Sequence, residues 1–175
     1  LTSVTDPEGG TVSYTYTAGG ELASMTDQNG PVTAYGYDGN NNVTSVTDGR
    51  GNTTTYEYDA LNRLTAAVSP EGGRTAYGYD AVGNLTSVTT PEGGIYGMSY
   101  DNADRQTSQT DALGHTETYT YDQNGNVTSV TDRRGNTTTY TYDKDNRLTS
   151  VTDALGGVTS YAYDGRGSVA QSVTS

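Results

Sequence analysis

Carboxylates, one histidine and a set of asparagines are the side chains of this chain that could do chemistry. Twenty-one Asp and Glu residues stand against nine Lys and Arg residues, so the formal net charge is −12. Glycoside hydrolysis uses two carboxylates at a defined separation, one of them with a raised pKa. Here an Asp instead recurs at a fixed interval along the sequence, and this regularity predicts that the carboxylates cap turns.

The single histidine, His115, stands next to Gly114. Nucleophilic catalysis needs a nucleophile, a His and an orienting carboxylate together, and no recognisable constellation of that kind surrounds His115. We interpret it as a turn residue. The sequence therefore predicts no catalytic residue, and the chain is not expected to be an enzyme.

Two acidic segments, residues 38–42 and 122–126, resemble the start of a calcium loop, where alternate oxygens and a Gly are required. The bidentate Glu that closes such a loop is missing, and Asx turns account for the same residues. We expect no cofactor, with calcium as the alternative. Five Asn residues stand in the glycosylation sequence and are candidate sugar acceptors: Asn42, Asn52, Asn84, Asn126 and Asn136.

All of these residues lie in a tandem repeat that is marked by the motif Tyr-x-Tyr-Asp. The second Tyr recurs every 21 residues in eight copies without an insertion. Units of this length are typical of arrays in which each repeat is stabilised by stacking on its neighbours. Neither end of the sequence resembles a polar cap, so we expect a single array over residues 1–175 that is an excerpt of a longer one or one link of a polymer.

The motif lies at the end of a predicted strand. The segment Thr53–Tyr58 alternates with period two and is rich in β-branched and aromatic residues, which predicts a strand with one buried face. In the fifth copy Met98 replaces the first Tyr and Tyr96 appears two positions earlier, which preserves the face of a strand but not that of a helix. The residues predicted to pack this face are Tyr14, Tyr16, Tyr35, Tyr37, Tyr56, Tyr58, Tyr77, Tyr79, Tyr96, Tyr100, Tyr119, Tyr121, Tyr140, Tyr142, Tyr161 and Tyr163.

Two turns complete each repeat. Four residues after the second Tyr only Gly, Asn or Asp occurs, as at Asn62, and these residue types tolerate a positive φ. A tight turn is therefore predicted there, before a returning strand such as Val127–Thr131. A second turn is predicted at glycines that have no substitute in any copy: Gly9, Gly30, Gly51, Gly72, Gly93, Gly114, Gly135 and Gly156.

The returning strand does not alternate cleanly, because Val127 and Val130 are three residues apart. Either a β-bulge brings both to one face, or both faces of the sheet are partly covered. The fifth copy carries Gln106 and Gln109 at the same two positions. We therefore expect the array to be weakest or most bent in that copy.

Two all-β architectures fit a unit of two strands. In a parallel solenoid the recurring Asp residues would stack about 4.8 Å apart and repel each other, whereas in an antiparallel meander equivalent residues lie about 9.6 Å apart. The sequence therefore favours tandem 21-residue strand-turn-strand repeats, each a β-hairpin, in one antiparallel sheet.

Composition limits the partners. The chain has no Cys, which excludes a disulfide framework and thiolate metal sites. It has no apolar run of about 18 residues, so no membrane span is predicted. The acidic balance argues against nucleic acid and anionic membranes.

Residues 79–85 (Tyr-Asp-Ala-Val-Gly-Asn-Leu) and 142–148 (Tyr-Asp-Lys-Asp-Asn-Arg-Leu) closely resemble the YD repeats of the Rhs family, and the resemblance extends over all eight copies. The family includes bacterial polymorphic toxins, the C component of toxin complexes, wall-associated proteins and teneurins. The resemblance implies a long curved or spiralling antiparallel sheet that winds into a hollow shell, which in toxins encloses an effector. It also implies a secreted or cell-surface location.

The self-cleaving core segment and the effector domain of the family are not found in this sequence. The leading hypothesis is a non-enzymatic structural array, a segment of such a shell or of an extracellular fibre. The alternative is an adhesin module that binds carbohydrate or a cell surface through exposed Tyr. The expected partners are neighbouring repeats, identical subunits end to end, an encapsulated effector or surface glycans.

Overall fold

The computed structural model describes residues 2–174, whose regular secondary structure consists of 17 β-strands. In chain order they are β1 (Ser3–Thr5), β2 (Thr11–Tyr16), β3 (Leu22–Asp27), β4 (Gly30–Tyr37), β5 (Val43–Asp48), β6 (Thr53–Tyr58), β7 (Leu64–Val68), β8 (Arg74–Tyr79), β9 (Leu85–Thr89), β10 (Ile95–Tyr100), β11 (Gln106–Thr110), β12 (Thr116–Tyr121), β13 (Val127–Thr131), β14 (Thr137–Tyr142), β15 (Leu148–Thr152), β16 (Val158–Tyr163) and β17 (Val169–Thr174). The predicted all-β fold of hairpin repeats is confirmed. Within residues 2–174 no helix is long and apolar enough to cross a membrane.

The described residues form two compact units. One contains residues 2–78 and 88–94, and the other contains residues 79–87 and 95–174, so β9 contributes to both. In the first unit successive strands from β1 to β8 pair antiparallel, β1 with β2 and so on to β7 with β8. In the second unit the strands from β10 to β17 do the same. Each unit is therefore a meander, the architecture that the spacing of the Asp residues favours.

Alternation along the outgoing strands gives the sheet two different faces. In β14 the three odd-numbered threonines are exposed, whereas Thr138, Tyr140 and Tyr142 are half-buried. The exposed face carries hydroxyl groups that bond between strands. The hydroxyls of Thr131 and Thr137 lie 2.8 Å apart, for example. We call the two sides the tyrosine face and the hydroxyl face.

A β-bulge places the returning strand on the same tyrosine face. Tyr119 pairs with Val130 and Tyr121 pairs with Val127, and the register shifts between Thr120 and Tyr121. Because the returning strand contains one extra residue at the shift, two valines three positions apart point to one side. The same shift occurs in the hairpins β2–β3, β4–β5, β6–β7, β10–β11, β14–β15 and β16–β17. Of the two alternatives that the sequence leaves open, the bulge is the one that the structure shows.

Neither unit contains a dry core. Among the described residues only Ala66 is fully buried, and the large side chains of the tyrosine face are half-buried at most. The strands of each unit contact the strands next to them in sequence and form a single layer. Cross-strand pairs and ladder hydrogen bonds between neighbouring repeats must therefore supply the stability.

One local departure from the repeat follows from a single residue, Pro31. At the turn after Asp27, residues Thr26 and Asp27 pair directly with Pro31 and Gly30, because Pro31 has no amide to donate to the Asp27 carboxylate.

The hairpin with Gln106 and Gln109 keeps the usual register and bulge. The expectation that the array is weakest in that copy stays a prediction.

Candidate functional site at the repeat turns

The turn that joins the two strands of one repeat, called here the hairpin turn, is capped by its Asp. In residues 143–147 the Asp143 amide donates to the Arg147 carbonyl (2.9 Å), and the Asn146 amide donates to the Asp143 carbonyl (3.0 Å). One carboxylate oxygen of Asp143 accepts the amides of Asp145 (2.9 Å) and Arg147 (3.0 Å). The other accepts Nε of Arg147 at 2.7 Å. Asn146 closes the turn with a φ of 60°.

Other hairpin turns use Asn in place of this Arg. In residues 122–126, Oδ1 of Asp122 accepts the amides of Asn124 and Asn126 at 2.9 Å each. Its Oδ2 accepts Nδ2 of Asn126, also at 2.9 Å. Gly125 takes the left-handed conformation with a φ of 89°. Both oxygens of the carboxylate thus have partners inside their own turn.

These hydrogen bonds stabilise the charged form of the carboxylate. The bond from the Asn126 side chain is the main reason why the pKa of Asp122 is lowered, and the bond from the Arg147 side chain has the same effect on the pKa of Asp143. A side chain four residues later is likewise the largest cause of a lowered pKa at Asp38, Asp48, Asp101 and Asp132. A general acid at neutral pH needs the opposite shift, so the geometry suits turn capping.

The two segments that resemble a calcium loop are hairpin turns of the Asn kind. At Asp38 and at Asp122 both carboxylate oxygens accept hydrogen bonds from their own turn, so a cation would have to displace them. Within residues 2–174 no group of three His, Cys, Asp or Glu side chains is placed to hold a metal ion. The absence of a cofactor stays an expectation, which a calorimetric titration with calcium would test.

His115 lies in the second kind of turn, called here the linking turn because it joins one repeat to the next. Its amide donates to Oδ1 of Asp111 at 3.0 Å, and its Nδ1 lies 3.4 Å from Oδ2 of the same residue. In the next linking turn Asn136 holds the equivalent position and donates its amide to Asp132 at 2.9 Å. His115 therefore occupies an ordinary position at the end of a turn.

The five candidate glycosylation sites also lie at the ends of turns. In each, Nδ2 donates to the Asp four residues earlier. Nδ2 donates a second bond to the following repeat at Asn42, Asn84 and Asn126. A sugar replaces one of the two Nδ2 hydrogens, so it would break a bond at these three residues but leave the turn bond possible at Asn52 and Asn136. Glycosylation itself stays a prediction.

The second Tyr of the motif reaches back to the preceding repeat. The hydroxyl of Tyr142 donates to the Val127 carbonyl at 3.0 Å. The ladder between β13 and β14 joins only residues 129–131 to residues 137–139, so this hydroxyl links the two strands beyond the last paired residues. Equivalent bonds of 2.7 to 3.0 Å come from Tyr37, Tyr58, Tyr100, Tyr121 and Tyr163.

Most of the sixteen tyrosines are half-buried on the tyrosine face. The two exposed ones are Tyr16 and Tyr96, with 43% and 41% of their surface accessible. The packing role that the sequence predicts for these residues stays a prediction, with which the half-burial of the other fourteen and the hydroxyl bonds agree.

The linking-turn glycines share one backbone conformation. Each has a positive φ, from 83° at Gly93 to 122° at Gly30. No atom lies within 4 Å of the position that a Cβ would occupy at any of the eight. The need for Gly is therefore conformational rather than a matter of space.

Sequence reasoning missed the contacts between successive hairpin turns. Nδ2 of Asn126 donates to Oδ1 of Asn146 in the next hairpin turn at 2.9 Å. A guanidinium nitrogen of Arg105 donates to the carbonyl of Asp122 at 2.9 Å. The central carbon of the same guanidinium lies 4.7 Å from the ring centre of Tyr121. The signal was visible as an alternation of Asn and Arg at the last turn position: Asn42, Arg63, Asn84, Arg105, Asn126 and Arg147.

This fold and these junctions define an all-β tandem-repeat protein in which each hairpin is tied to the next. The model of the RHS repeat matches the chain in overlapping windows from end to end, at residues 1–32, 18–53, 37–74, 58–95, 79–116, 100–137, 121–158 and 142–175. The chain belongs to the RHS repeat family. No curated protein sequence matches it significantly.

Solved structures of toxin complexes share the fold. A crystal structure of TcdB2-TccC3 is similar with a TM-score of 0.71 at 19% identity, and the match covers 99% of this chain and 11% of that one. A crystal structure of TcdB2-TccC3-TEV gives 0.70 at 19% identity, with 99% and 11% covered. The Tc holotoxin pore of Photorhabdus luminescens with a mutated TccC3 gives 0.60 at 17% identity, with 98% and 12% covered. At 17 to 19% identity these similarities show a shared fold alone.

Proposed function

We propose that this chain is a stretch of the wall of a secreted or cell-surface shell of RHS repeats and has no catalytic role of its own. The observation that carries the proposal is the single layer of strands with two unlike faces. A wall must be thin and must present different surfaces to its two sides. The half-buried tyrosine face and the exposed hydroxyl face of strands such as β6 in one unit and β14 in the other meet that requirement.

The repeat geometry also suits a wall because it can be extended. Each hairpin is joined to the previous one by ladder bonds and by the hydroxyl of its second Tyr. In such a chain stability is approximately a sum over repeats and their junctions. A wall of any length can therefore be built without a new core.

The cargo of the shell is the finer part of the proposal. The solved structures of similar fold are complexes of TccC3 with TcdB2. We infer that this array encloses an effector polypeptide, as its resemblance to the toxins of the Rhs family implies. The net charge of −12 favours a neutral or basic cargo over nucleic acid.

Electron microscopy of the full-length native protein tests the proposal. Closed hollow particles with a wall one sheet thick are the expected result. Long filaments of end-to-end subunits would overturn the shell and favour an extracellular fibre. Release of an enclosed polypeptide on denaturation, detected by mass spectrometry, would identify the cargo.

A carbohydrate-binding adhesin is the second candidate, and one site favours it. In β10 the side chain of Tyr96 is exposed, with 41% of its surface accessible, and an exposed Tyr ring can stack on a sugar. Glycan-array binding that Tyr96→Ala abolishes and Tyr140→Phe retains would support the adhesin. Absence of any binding by the native protein would remove it.

A further inference from the structure

Six of the eight hairpin turns are of two chemical kinds that alternate, whereas the first ends in Glu21 and the last in Ser168. Asn-ended turns occupy residues 38–42, 80–84 and 122–126, and Arg-ended turns occupy residues 59–63, 101–105 and 143–147. Between residues 38 and 147 the backbone repeats every 21 residues, but the turn chemistry repeats every 42. A longer chemical period within a uniform backbone indicates that neighbouring repeats are not interchangeable.

An Asn-ended turn donates to the turn that follows it. Nδ2 of Asn42 lies 2.8 Å from Oδ1 of Asn62, and Nδ2 of Asn40 lies 3.0 Å from the same oxygen. Two amides converge in the same way on Asn146 at 2.9 Å each. Asn84 donates to Oδ1 of Asp104 at 2.8 Å. The acceptor is in every case the left-handed residue of the next hairpin turn.

The identity of that left-handed residue separates the two kinds of turn. Gly adopts a positive φ without strain, whereas other residues do so at a cost. The Arg-ended turns nevertheless carry Asn62, Asp104 and Asn146 there, with φ between 58° and 61°. Two of the Asn-ended turns carry Gly instead: Gly83 and Gly125.

The third Asn-ended turn provides the comparison within the chain. Asn41 has a φ of 65° and donates its backbone amide to Asp38. No hydrogen bond of the Asn41 side chain is present among the described residues. The left-handed Asn of this Asn-ended turn therefore accepts no hydrogen bond from another turn. The left-handed residue of each Arg-ended turn does accept one.

The opposite junction, from an Arg-ended turn to the repeat that follows it, is less selective. Arg105 donates to the backbone carbonyl of Asp122 and lies 4.7 Å from the Tyr121 ring. Arg147 lies at the same distance over Tyr163. A backbone carbonyl and the second Tyr are present in every repeat, so this junction does not depend on the type of the next turn.

We propose that the hairpin turns form a pairing code. The side of an Asn-ended turn is an interaction surface that fits a following repeat with a side-chain oxygen on its left-handed residue, namely Asn or Asp. The six repeats that carry these turns then form three 42-residue pairs, each an Asn-ended repeat followed by an Arg-ended repeat. The identical segments at residues 52–56 and 136–140 lie 84 residues apart, which is a whole number of such pairs.

Substitution by Gly in the intact chain separates this code from a simple tolerance of Asn for positive φ. Asn41→Gly removes the strain of a left-handed Asn without removing a hydrogen-bond acceptor, so the urea midpoint of unfolding should rise. Asn62→Gly and Asn146→Gly remove the same strain together with the acceptor, so the midpoint should fall. Asn62→Asp keeps an oxygen and should stay near the native value at neutral pH. A rise for Asn62→Gly equal to that for Asn41→Gly would overturn the code.

A double-mutant cycle assigns the effect to the contact itself. Asn40 donates its side chain only to Asn62 among the described residues, so Asn40→Ala and Asn62→Gly should together shift the midpoint by less than the sum of the two single shifts. Additive shifts would contradict a direct contact between the two turns.

Deletions test the code at the level of whole repeats. Removal of residues 101–121 places the Asn-ended turn 122–126 after the Asn-ended turn 80–84, and the acceptor for Asn84 is lost. Removal of residues 101–142 places the Arg-ended turn 143–147 there and keeps an acceptor. Amide exchange at residues 80–84 should accelerate in the first variant and stay slow in the second. Equal protection of that turn in both variants would overturn the proposal.

Discussion

The β10–β11 hairpin and the β14–β15 hairpin share one backbone and differ in the side chains that pack on it. In the first, Met98 pairs with Gln109 and Tyr100 pairs with Gln106. In the second, the equivalent residues are Tyr140 with Val151 and Tyr142 with Leu148. Both carry the bulge at the same place, although two apolar residues of one are amides in the other.

The groups that are common to the two hairpins account for the common backbone. Each turn is closed by an Asp with an Arg four residues later, at 2.7 Å in both. Tyr100 and Tyr142 each donate a hydroxyl to the preceding repeat at 3.0 Å. Register and bulge thus follow from the turn caps and from the second Tyr, while apolar side chains add stability to a geometry that does not depend on them.

The glutamines compensate only partly for the missing apolar contacts. Gln109 donates to Glu117 of β12 at 3.0 Å, and the side-chain amide of Gln106 lies 3.5 Å from Oε1 of Gln109. Hydrogen bonds at a half-exposed surface replace bonds to water and contribute little net stability. The two hairpins are therefore expected to share one backbone geometry, with β10–β11 less stable than β14–β15.

Acidification should have the largest effect, because it removes the Asp caps that seven of the eight hairpin turns and six of the eight linking turns carry. The folded pKa of nine capping Asp residues lies below the ordinary value. The unfolded state therefore binds more protons than the folded state at a pH between the folded and the unfolded pKa. Their stabilisation is complete above about pH 4 and is lost as the pH falls through the folded pKa. Circular dichroism during urea unfolding at a series of pH values measures this loss.

Two linking turns provide the control for acidification. Ser69 and Thr90 stand where the other turns have Asp, and both form the same backbone bonds. Their amides should keep their hydrogen-exchange protection at a pH at which the turn at Asp132 has lost it. Simultaneous loss of protection at Ser69 and Asp132 would show that the carboxylates are not responsible.

Exchanging the apolar side chains of the two hairpins should have the next largest effect. Leu148→Gln with Val151→Gln removes two half-buried aliphatic groups and should lower the free energy of unfolding by about 2 kcal/mol. The reverse change, Gln106→Leu with Gln109→Val, should raise it by about 1 kcal/mol, because the bond to Glu117 is lost as burial is gained.

Native-state hydrogen exchange locates these changes in the chain. The native protein should open first at β10–β11, and the reverse substitution should remove that difference. Equal protection of the two hairpins in the native protein would refute the idea that the fifth copy is the weakest.

The smallest effect should come from a single hydroxyl. Tyr142→Phe removes the bond to the Val127 carbonyl and should cost about 1 kcal/mol in the free energy of unfolding. Tyr140→Phe is the matched control, since the Tyr140 hydroxyl makes no hydrogen bond within residues 2–174 and Met98 replaces it in β10. Equal losses for the two variants would mean that the bond between repeats contributes nothing specific.

Local rules were sufficient to predict most of the fold from the sequence. Period-two alternation gave the outgoing strand, and the restriction to Gly, Asn or Asp at positions such as Asn62 gave the left-handed turn residues. The returning strand could not be decided, because the spacing of Val127 and Val130 fits either a bulge or a sheet covered on both faces. The links between hairpin turns were missed, because they depend on distances between repeats that no single repeat contains.

The candidate chemistry was predictable only in its outline. Recurrence of the Asp residues indicated capping, and the structure gives the bonds that produce it at Asp122 and Asp143. A capping Asn such as Asn126 also donates a hydrogen bond to the next repeat. This contact could not be predicted, because it depends on the relative position of two turns.

A length series tests the central claim, that the hairpins stabilise one another and that none has a core of its own. Chains of one, two, four and eight repeats, cut in phase with the second Tyr, would be unfolded in urea and followed by circular dichroism. The account predicts that a single repeat is unfolded in water and that the urea midpoint rises with each added pair of repeats. A folded single repeat, or a midpoint that does not change with the number of repeats, would contradict it.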